Sequence, residues 1–279
     1  MKVLITGANG MVAKATAKHC HILGDEVLAL NRQELNIADF KDVSGIFKLE
    51  KPDIVINCAA FTDVDGAEIR AEESYNANSV GVENLAFASK QIDAGFLTIS
   101  TDFVFDGTNE GFYTQRDTPN PISIYGKSKL EGEQRARNAY ARSIIVRSGW
   151  IYGENGTNFL SVLHNLLADG KSIKAIYDSF GTPTFANDLA IRMRELIVLD
   201  MPNIYHVMNS GEGTSYAGFA EKVCEIKGYD KALLEKSPAD SLKRPAPRPK
   251  SSKMKCLFSE RFGLANLPDW ESALEEFLN

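Results

Sequence analysis

The sequence predicts an α/β protein built around a doubly wound parallel sheet. Short runs of apolar and β-branched residues alternate with longer amphipathic stretches, and these runs are apolar throughout rather than at every second position. Such strands are typical of a parallel sheet whose two faces are both covered by helices. Strands and helices that alternate along the chain build βαβ units. The predicted strands are KVLIT, DEVLALN, DIVINCAA, GFLTIST and SIIVRS.

The rhythm of strand and helix loosens after about residue 152. A helix and a strand are predicted in HNLLADGKSIKAI, followed by FGTPTFANDLA, a helix, IYHVMNS and the Pro-rich segment SPADSLKRPAPRPKSSKM. We therefore predict a Rossmann-type domain over residues 1–150, to which residues 181–206 return. Residues 151–180 and 207–279 are predicted to form a smaller C-terminal lobe that binds substrate.

Composition excludes several classes of protein. The 279 residues carry a formal net charge of −6 and no long basic run, so we expect no nucleic-acid or anionic-membrane partner. No apolar segment has the length of a membrane span, and Gly7 interrupts the first apolar run before it reaches signal-peptide length. The four cysteines form no CxxC pair and no metal-like pattern with the four histidines. These features predict a cytoplasmic protein, either a monomer or a homodimer.

A glycine turn directly follows the first predicted strand. ITGANGMVA has the pattern G-x-x-G-x-x-A, with Gly7, Gly10 and Ala13 at the three fixed positions. Glycine permits a tight turn, and the free amides at the start of the next helix favour a pyrophosphate. The methyl group of Ala13 should be tolerated where a third glycine is usual. We predict a dinucleotide site that also includes Asn9, Met11 and Val12, with a plain strand–turn–helix as the alternative.

The end of the second strand bears on the choice of cofactor. An NAD-preferring site would offer an acidic residue here, but the sequence has Asn31 and Arg32. Arg32 would pair with a 2′-phosphate, which favours NADPH over NADH, although a solvated surface arginine is the alternative. Asn36 and Ile37 lie where an adenine would rest. The further predicted cofactor contacts, at the end of the third strand, are Cys58, Ala59, Ala60 and Thr62.

Tyr125 and Lys129 lie four residues apart in PISIYGKSKLEGE. On a helix this spacing places both side chains on one face, where the ammonium would lower the pKa of the phenol. Tyr125 would then deliver a proton near neutral pH. An isolated pair of this kind more often flanks a solvated helix, but the upstream glycine turn and the loop STDFVFDG favour the chemical interpretation.

Together these motifs resemble the extended short-chain dehydrogenase/reductases and, within them, the dTDP-4-dehydrorhamnose reductase family. The resemblance implies NAD(P)H-dependent reduction of the 4-keto group of dTDP-4-dehydro-L-rhamnose to dTDP-L-rhamnose, a step of nucleotide-sugar and polysaccharide biosynthesis. It extends nearly end to end, through NCAAFTDVDGAE, NANSVGVENLA, STDFVFDG, PISIYGKSKLEGE, VRSGWIYG, FGTPTFANDLA, YHVMNSGEGTS and RPAPRPKSS.

The resemblance also implies roles for individual residues. Thr101 would supply the hydroxyl of a catalytic triad, Tyr125 the proton, and Lys129 a contact to the cofactor ribose. Asn78 matches the helix asparagine of the superfamily, on the cofactor side. The residues implied for substrate binding are Asp102, Phe103, Phe105 and Trp150 around the sugar, with Arg248 at the nucleotide diphosphate.

Two other functions stay open at this point. Phe103, where the family often has tyrosine, and Gly149, where a hydroxyl residue is common, favour a sister ketoreductase acting on another nucleotide-linked 4-keto-6-deoxysugar. The resemblance also permits a non-catalytic dinucleotide-binding regulatory subunit, like the beta subunit of methionine adenosyltransferase, but the retained triad argues against it.

A metal site is not predicted from the residues themselves. Mg²⁺ is implied by family resemblance only. His164 and His206 lack a cysteine or carboxylate at ligand spacing and are expected to be structural. Asp63 and Asp65 in TDVD are predicted to cap a helix rather than to act as acids.

Overall fold

A computed structural model describes all 279 residues and contains the predicted parallel sheet. The strands are β1 Lys2–Thr6, β2 Glu26–Leu30, β3 Ile54–Asn57, β4 Gly95–Thr101, β5 Ile144–Ser148, β6 Ile151–Tyr152, β7 Ile173–Ile176, β8 Phe180–Gly181, β9 Thr184–Phe185, β10 Ile204–His206, β11 Thr214–Ser215 and β12 Leu234–Ser237. The helices are α1 Met11–Ile22, α2 Phe40–Glu50, α3 Val64–Ile69, α4 Ala71–Tyr75, α5 Gly81–Gln91, α6 Ile124–Ala139, α7 Phe159–Ala168, α8 Ala186–Val198, α9 Tyr216–Lys227 and α10 Trp270–Leu278.

Six parallel strands form the main sheet, in the order β10-β5-β4-β3-β1-β2. Val3 and Ile5 of β1 enter one hydrophobic cluster, whereas Leu4 between them enters the cluster on the opposite face. Because successive side chains of a strand point to opposite faces, both faces of the sheet are buried. This explains why the predicted strands are apolar throughout, and the predicted fold class is confirmed.

Side-chain hydrogen bonds join the carboxyl ends of β1 and β3 to each other and to the middle of β4. The hydroxyl of Thr6 donates to Asn57 Oδ1 at 2.6 Å, and Asn57 Nδ2 donates to Thr98 Oγ1 at 2.9 Å. The chain order of the strands reverses at β1, which pairs with β2 on one side and β3 on the other. Ligands of open α/β sheets bind in the crevice at such a reversal, outside the carboxyl ends of the strands.

Much of the remaining chain forms a second hydrophobic core beside the carboxyl ends of the sheet strands. Tyr152, Phe219 and Leu274 are fully buried there, among residues of α7, α9 and α10. By contrast, β10 extends the main sheet and α8 packs against α1. The boundaries given above for the two lobes stay a prediction. None of the helices combines the length and apolar character that crossing a lipid bilayer requires.

Candidate active site

The glycine turn between β1 and α1 allows an anion to approach the backbone closely. Gly7 has a φ of +72°, and a Cβ at this position would lie 2.8 Å from the backbone nitrogen of Ala59, so only glycine fits. Gly10 begins α1 without a capping side chain, and the first turn contains no acidic residue. The amides and the positive end of this helix dipole therefore fit a pyrophosphate. Ala13 is buried in the core, so its methyl group is accommodated.

The predicted cofactor residues that follow β2 differ in whether their side chains are free to bind a ligand. Arg32 is exposed just after β2 and has no ion pair or side-chain hydrogen bond. Asn31 Oδ1 and Asn36 Oδ1 accept local backbone N–H groups at 2.8 Å and 3.3 Å. Ile37 is buried in the core, so its side chain does not provide the predicted surface for adenine.

Several predicted cofactor residues do lie at the crevice edge of the sheet. Asn9 and Thr62 are exposed. Met11 lies 3.6 Å, sulfur to hydroxyl oxygen, from Ser161 of α7, which links the glycine turn to the second core. The partly buried members of the set are Met11, Val12, Cys58, Ala59 and Ala60.

Asn78 has a structural task that replaces its predicted contact with cofactor. It is buried in a π-helical turn, Asn76–Val80, between α4 and α5. Its Oδ1 accepts from the Phe61 amide at 2.8 Å, and its Nδ2 donates to Phe61 O at 3.1 Å and to Ser128 Oγ at 3.0 Å. Because its amide is fully used, Asn78 ties the loop after β3 to α6 rather than binding a ligand.

The predicted triad meets where β4 ends beside α6. Thr101 Oγ1 accepts from the Phe103 amide at 3.1 Å and so caps the 3₁₀ turn Asp102–Val104. Tyr125 lies in the first turn of α6, whose start is capped by Ser123 Oγ. α6 packs against this 3₁₀ turn, and the Thr101 hydroxyl acts to lower the pKa of Tyr125. Lys129 follows one helical turn later and is buried.

The electrostatics of Tyr125 and Lys129 differ from the sequence prediction. Burial raises the pKa of Tyr125 to about 12, which outweighs the opposing effect of Thr101. Lys129 Nζ donates to Ile99 O at 2.6 Å, and burial lowers the pKa of this ammonium to about 8. The predicted lowering of the Tyr125 pKa by Lys129 is therefore not found, because desolvation dominates at both groups.

Aromatic side chains surround the triad. Phe103 packs its ring edge-on against Tyr125, with centroids 5.7 Å apart. Trp150 stacks on Tyr216 at 3.9 Å and has a left-handed backbone with a φ of +50°. Strained backbone of this kind concentrates at binding sites. Phe105, however, is fully buried and stacks on Tyr113, so its predicted place in the sugar pocket is wrong. The 3₁₀ turn before Phe105 directs it into a separate small core.

Arg248 is already paired within the chain. Its guanidinium donates to both carboxylate oxygens of Asp65, at 3.0 Å and 2.7 Å, and the Ala246 amide also donates to Asp65. Asp65 therefore holds the Pro-rich segment instead of capping a helix, which corrects its predicted role. The guanidinium of Arg248 makes a bidentate contact with Asp65, and its contact with a diphosphate stays a prediction. Asp63 does cap α3, accepting from the Gly66 amide at 2.8 Å.

A buried polar network behind the triad was missed from the sequence. Glu133, one turn after Lys129, accepts from Arg147 at 2.9 Å and 2.6 Å and also contacts Ser100 Oγ. The signal available was the four-residue spacing of Lys129 and Glu133. Burial and the neighbouring Arg147 lower the pKa of His206 to about 3, so this histidine is neutral. No group of three or more His, Cys, Asp and Glu side chains is arranged to hold a metal ion, so the structure gives Mg²⁺ no support.

Comparison with known proteins places this site in a family. Residues 1–279 match the family model described as RmlD substrate binding domain. The chain belongs to this family. The resemblance inferred from the motifs is thereby confirmed.

Individual relatives match over nearly the whole chain. A dTDP-4-dehydrorhamnose reductase of Mycolicibacterium smegmatis is 35% identical over 99% of this chain and 84% of the relative. The spore coat polysaccharide biosynthesis protein SpsK of Bacillus subtilis is 36% identical over 99% and 96%. The crystal structure of a Bacillus anthracis dTDP-4-dehydrorhamnose reductase in complex with NADP matches with a TM-score of 0.95 and 32% identity, covering 99% of this chain and 98% of that chain.

Proposed function

We propose that this chain reduces the 4-keto group of dTDP-4-dehydro-L-rhamnose to dTDP-L-rhamnose, with NADPH as the preferred cofactor. The observation that carries the proposal is the meeting of Thr101, Tyr125 and Lys129 at the end of β4, on the sheet edge that also bears the glycine turn. Relatives named dTDP-4-dehydrorhamnose reductase, one of them solved with NADP, support both the substrate and the cofactor.

The cofactor would be held by groups that the fold leaves free. The amides at the start of α1 would meet the pyrophosphate, and the unpaired guanidinium of Arg32 would meet the 2′-phosphate. Bound there, NADPH supplies the hydride that adds to the ketone carbon.

Tyr125 acts as the proton donor. As negative charge develops on the ketone oxygen, the phenol O–H bond breaks and a new O–H bond forms on the product alcohol. A phenol remains a stronger acid than a secondary alcohol even with the raised pKa of Tyr125, so the transfer is downhill. Phe103 packs against the ring of this donor and limits its movement.

Lys129 and the aromatic residues support that step. With a pKa of about 8, the buried ammonium of Lys129 is mostly charged at pH 7 and lies one helical turn from the donor, where it would contact the cofactor ribose. Trp150, stacked on Tyr216, offers an indole of the kind that packs on the apolar C–H groups of a sugar.

The test is NADPH oxidation with dTDP-4-dehydro-L-rhamnose generated in situ, with the product identified by NMR. Formation of dTDP-L-rhamnose supports the proposal. If NADPH is oxidised only with other nucleotide-linked 4-keto-6-deoxysugars, the sister ketoreductase, which Phe103 favours, replaces it. NADPH binding without any sugar reduction would favour the regulatory subunit. A cytoplasmic location and a monomeric or homodimeric state stay predictions.

A further inference from the structure

Asp102 is a buried carboxyl placed between the catalytic hydroxyl and the C-terminal segment. Its side chain is 3% exposed. Thr101 Oγ1 lies 3.0 Å from Asp102 Oδ1, and Ser252 Oγ donates to Asp102 Oδ2 at 2.5 Å. No cation pairs with this carboxyl. Because it is enclosed and both of its oxygens are used, Asp102 does not line the sugar pocket as predicted from the sequence.

Gly149 and Ser252 hold the Asp102 carboxyl in this position. A Cβ on Gly149 would lie 2.3 Å from Asp102 Cγ, so the glycine before Trp150 leaves the space that the carboxyl fills. Ser252 is itself buried, and its amide donates to Phe180 O at 2.8 Å. A residue far along the chain is thus fixed next to the end of β4.

The protonation state of Asp102 decides whether the Thr101 hydroxyl has a proton to donate to the substrate. One lone pair of Thr101 Oγ1 already accepts from the Phe103 amide. If Asp102 is ionised, Thr101 donates its only proton to the carboxylate and has none for a substrate oxygen. If Asp102 is neutral, the acid donates to Thr101, whose own O–H then becomes free to point at the reacting oxygen.

We propose that Asp102, held by Ser252, is a positioning residue that directs the Thr101 hydroxyl to the substrate oxygen when its carboxyl is neutral. This inference rests on the proposed function. It assigns Ser252 to the same task, through its contact with Asp102.

The electrostatics agree with this geometry. Burial raises the pKa of Asp102 to about 6, against the lowering effects of Ser252 and Thr101 and of the amides at the turn. The titratable groups that face it from neighbouring helices are the phenols of Tyr125 on α6 and Tyr216 on α9, both with a pKa raised to about 12 and therefore neutral. A sugar bound over the site would remove Asp102 further from water and raise its pKa again.

The decisive measurement is the pH profile of kcat/KM between pH 5 and 9 for the wild type, Asp102→Asn and Ser252→Ala. In the wild type, kcat/KM should fall by about tenfold per pH unit above an apparent pKa near 6, and the same decline in kcat should lie at higher pH. Asparagine accepts from Ser252 and donates to Thr101 as the neutral acid does, so Asp102→Asn should lack the decline near pH 6. A separate decline from Lys129, whose pKa is about 8, should remain in all three proteins. Ser252→Ala removes a contact that lowers the pKa, so its decline should move to higher pH.

A decline with an apparent pKa near 6 that persists in Asp102→Asn, or that stays in place in Ser252→Ala, overturns the inference. If Asp102→Asn does not fold, the Ser252→Ala profile decides alone.

A second readout does not depend on substrate. Because the folded pKa of Asp102 lies above its ordinary value of 3.8, the folded state binds the extra proton, and this group's contribution to stability is lost as pH rises from 3.8 to about 6. The melting temperature of the wild type should therefore fall relative to Asp102→Asn across that window. If this titration appears but the wild type reduces no sugar, the proposed function fails while Asp102 is shown to titrate. If sugar is reduced and the titration is absent, the inference alone fails.

Discussion

Replacement of Arg147 by methionine tests the buried ion pair behind the triad. Arg147 and Glu133 are 4% and 3% exposed, and two hydrogen bonds of 2.9 Å and 2.6 Å join them. Methionine keeps much of the apolar stem, including packing near the Phe105 ring that the guanidinium covers at 5.3 Å. The change therefore leaves a buried carboxylate without its cation.

The expected cost follows from that unpaired charge. Removing one partner of a buried pair destabilises a protein by about 3–5 kcal/mol, a large part of the roughly 5–15 kcal/mol that holds a domain folded. Removing both charges in Glu133→Gln/Arg147→Met should recover most of the loss. Arg135→Met is the matched control, since Arg135 is 41% exposed and pairs with Glu83 on the surface at 2.7 Å. Its loss should stay below about 1 kcal/mol.

Urea unfolding followed by far-UV circular dichroism at pH 7 and pH 5 measures these free energies. An unpaired buried carboxylate is protonated more readily, so the deficit of Arg147→Met should shrink as the pH falls. A loss at pH 7 no greater than that of Arg135→Met, or one that does not change with pH, would show that Arg147 does not neutralise a buried charge on Glu133.

Three further predictions concern the cofactor site and the sheet. Gly7→Ala should abolish NADPH binding in a fluorescence titration, because the added Cβ would lie 2.8 Å from the backbone nitrogen of Ala59. Gly24→Ala is the control, since Gly24 also has a positive φ, +78°, but open space around it. This variant should lose only about 1 kcal/mol of stability and still bind NADPH. Arg32→Ala should weaken NADPH binding at least about tenfold and leave NADH binding nearly unchanged, which parallel titrations would check. His206 stays neutral to about pH 3 while the unfolded chain takes up a proton below 6.5, so the wild type should lose about 2 kcal/mol from this group between pH 6.5 and 5, and His206→Gln should not.

The features that could be predicted from the sequence are those with local causes. Apolar runs gave the five strands, and the glycine pattern gave the turn that Gly7 makes against Ala59. The Tyr125 and Lys129 spacing gave the triad helix. Each depends on residues within one element and the turn that follows it.

The features that were missed or wrong depend on contacts between distant parts of the chain. Arg248 lies 183 residues from Asp65, and Ser252 lies 150 residues from Asp102. No periodicity records such pairs. The prediction for Lys129 failed for a related reason: its burial and its bond to Ile99 O arise only when α6 packs on β4.

The role of Tyr125 as proton donor is tested by the turnover of Tyr125→Phe with saturating NADPH and dTDP-4-dehydro-L-rhamnose. Phenylalanine keeps the ring that packs against Phe103 and removes only the proton donor. The kcat should fall at least about 100-fold below that of the wild type, with NADPH affinity changed by no more than about twofold. A variant that keeps the wild-type kcat would contradict the assignment of Tyr125 as the donor.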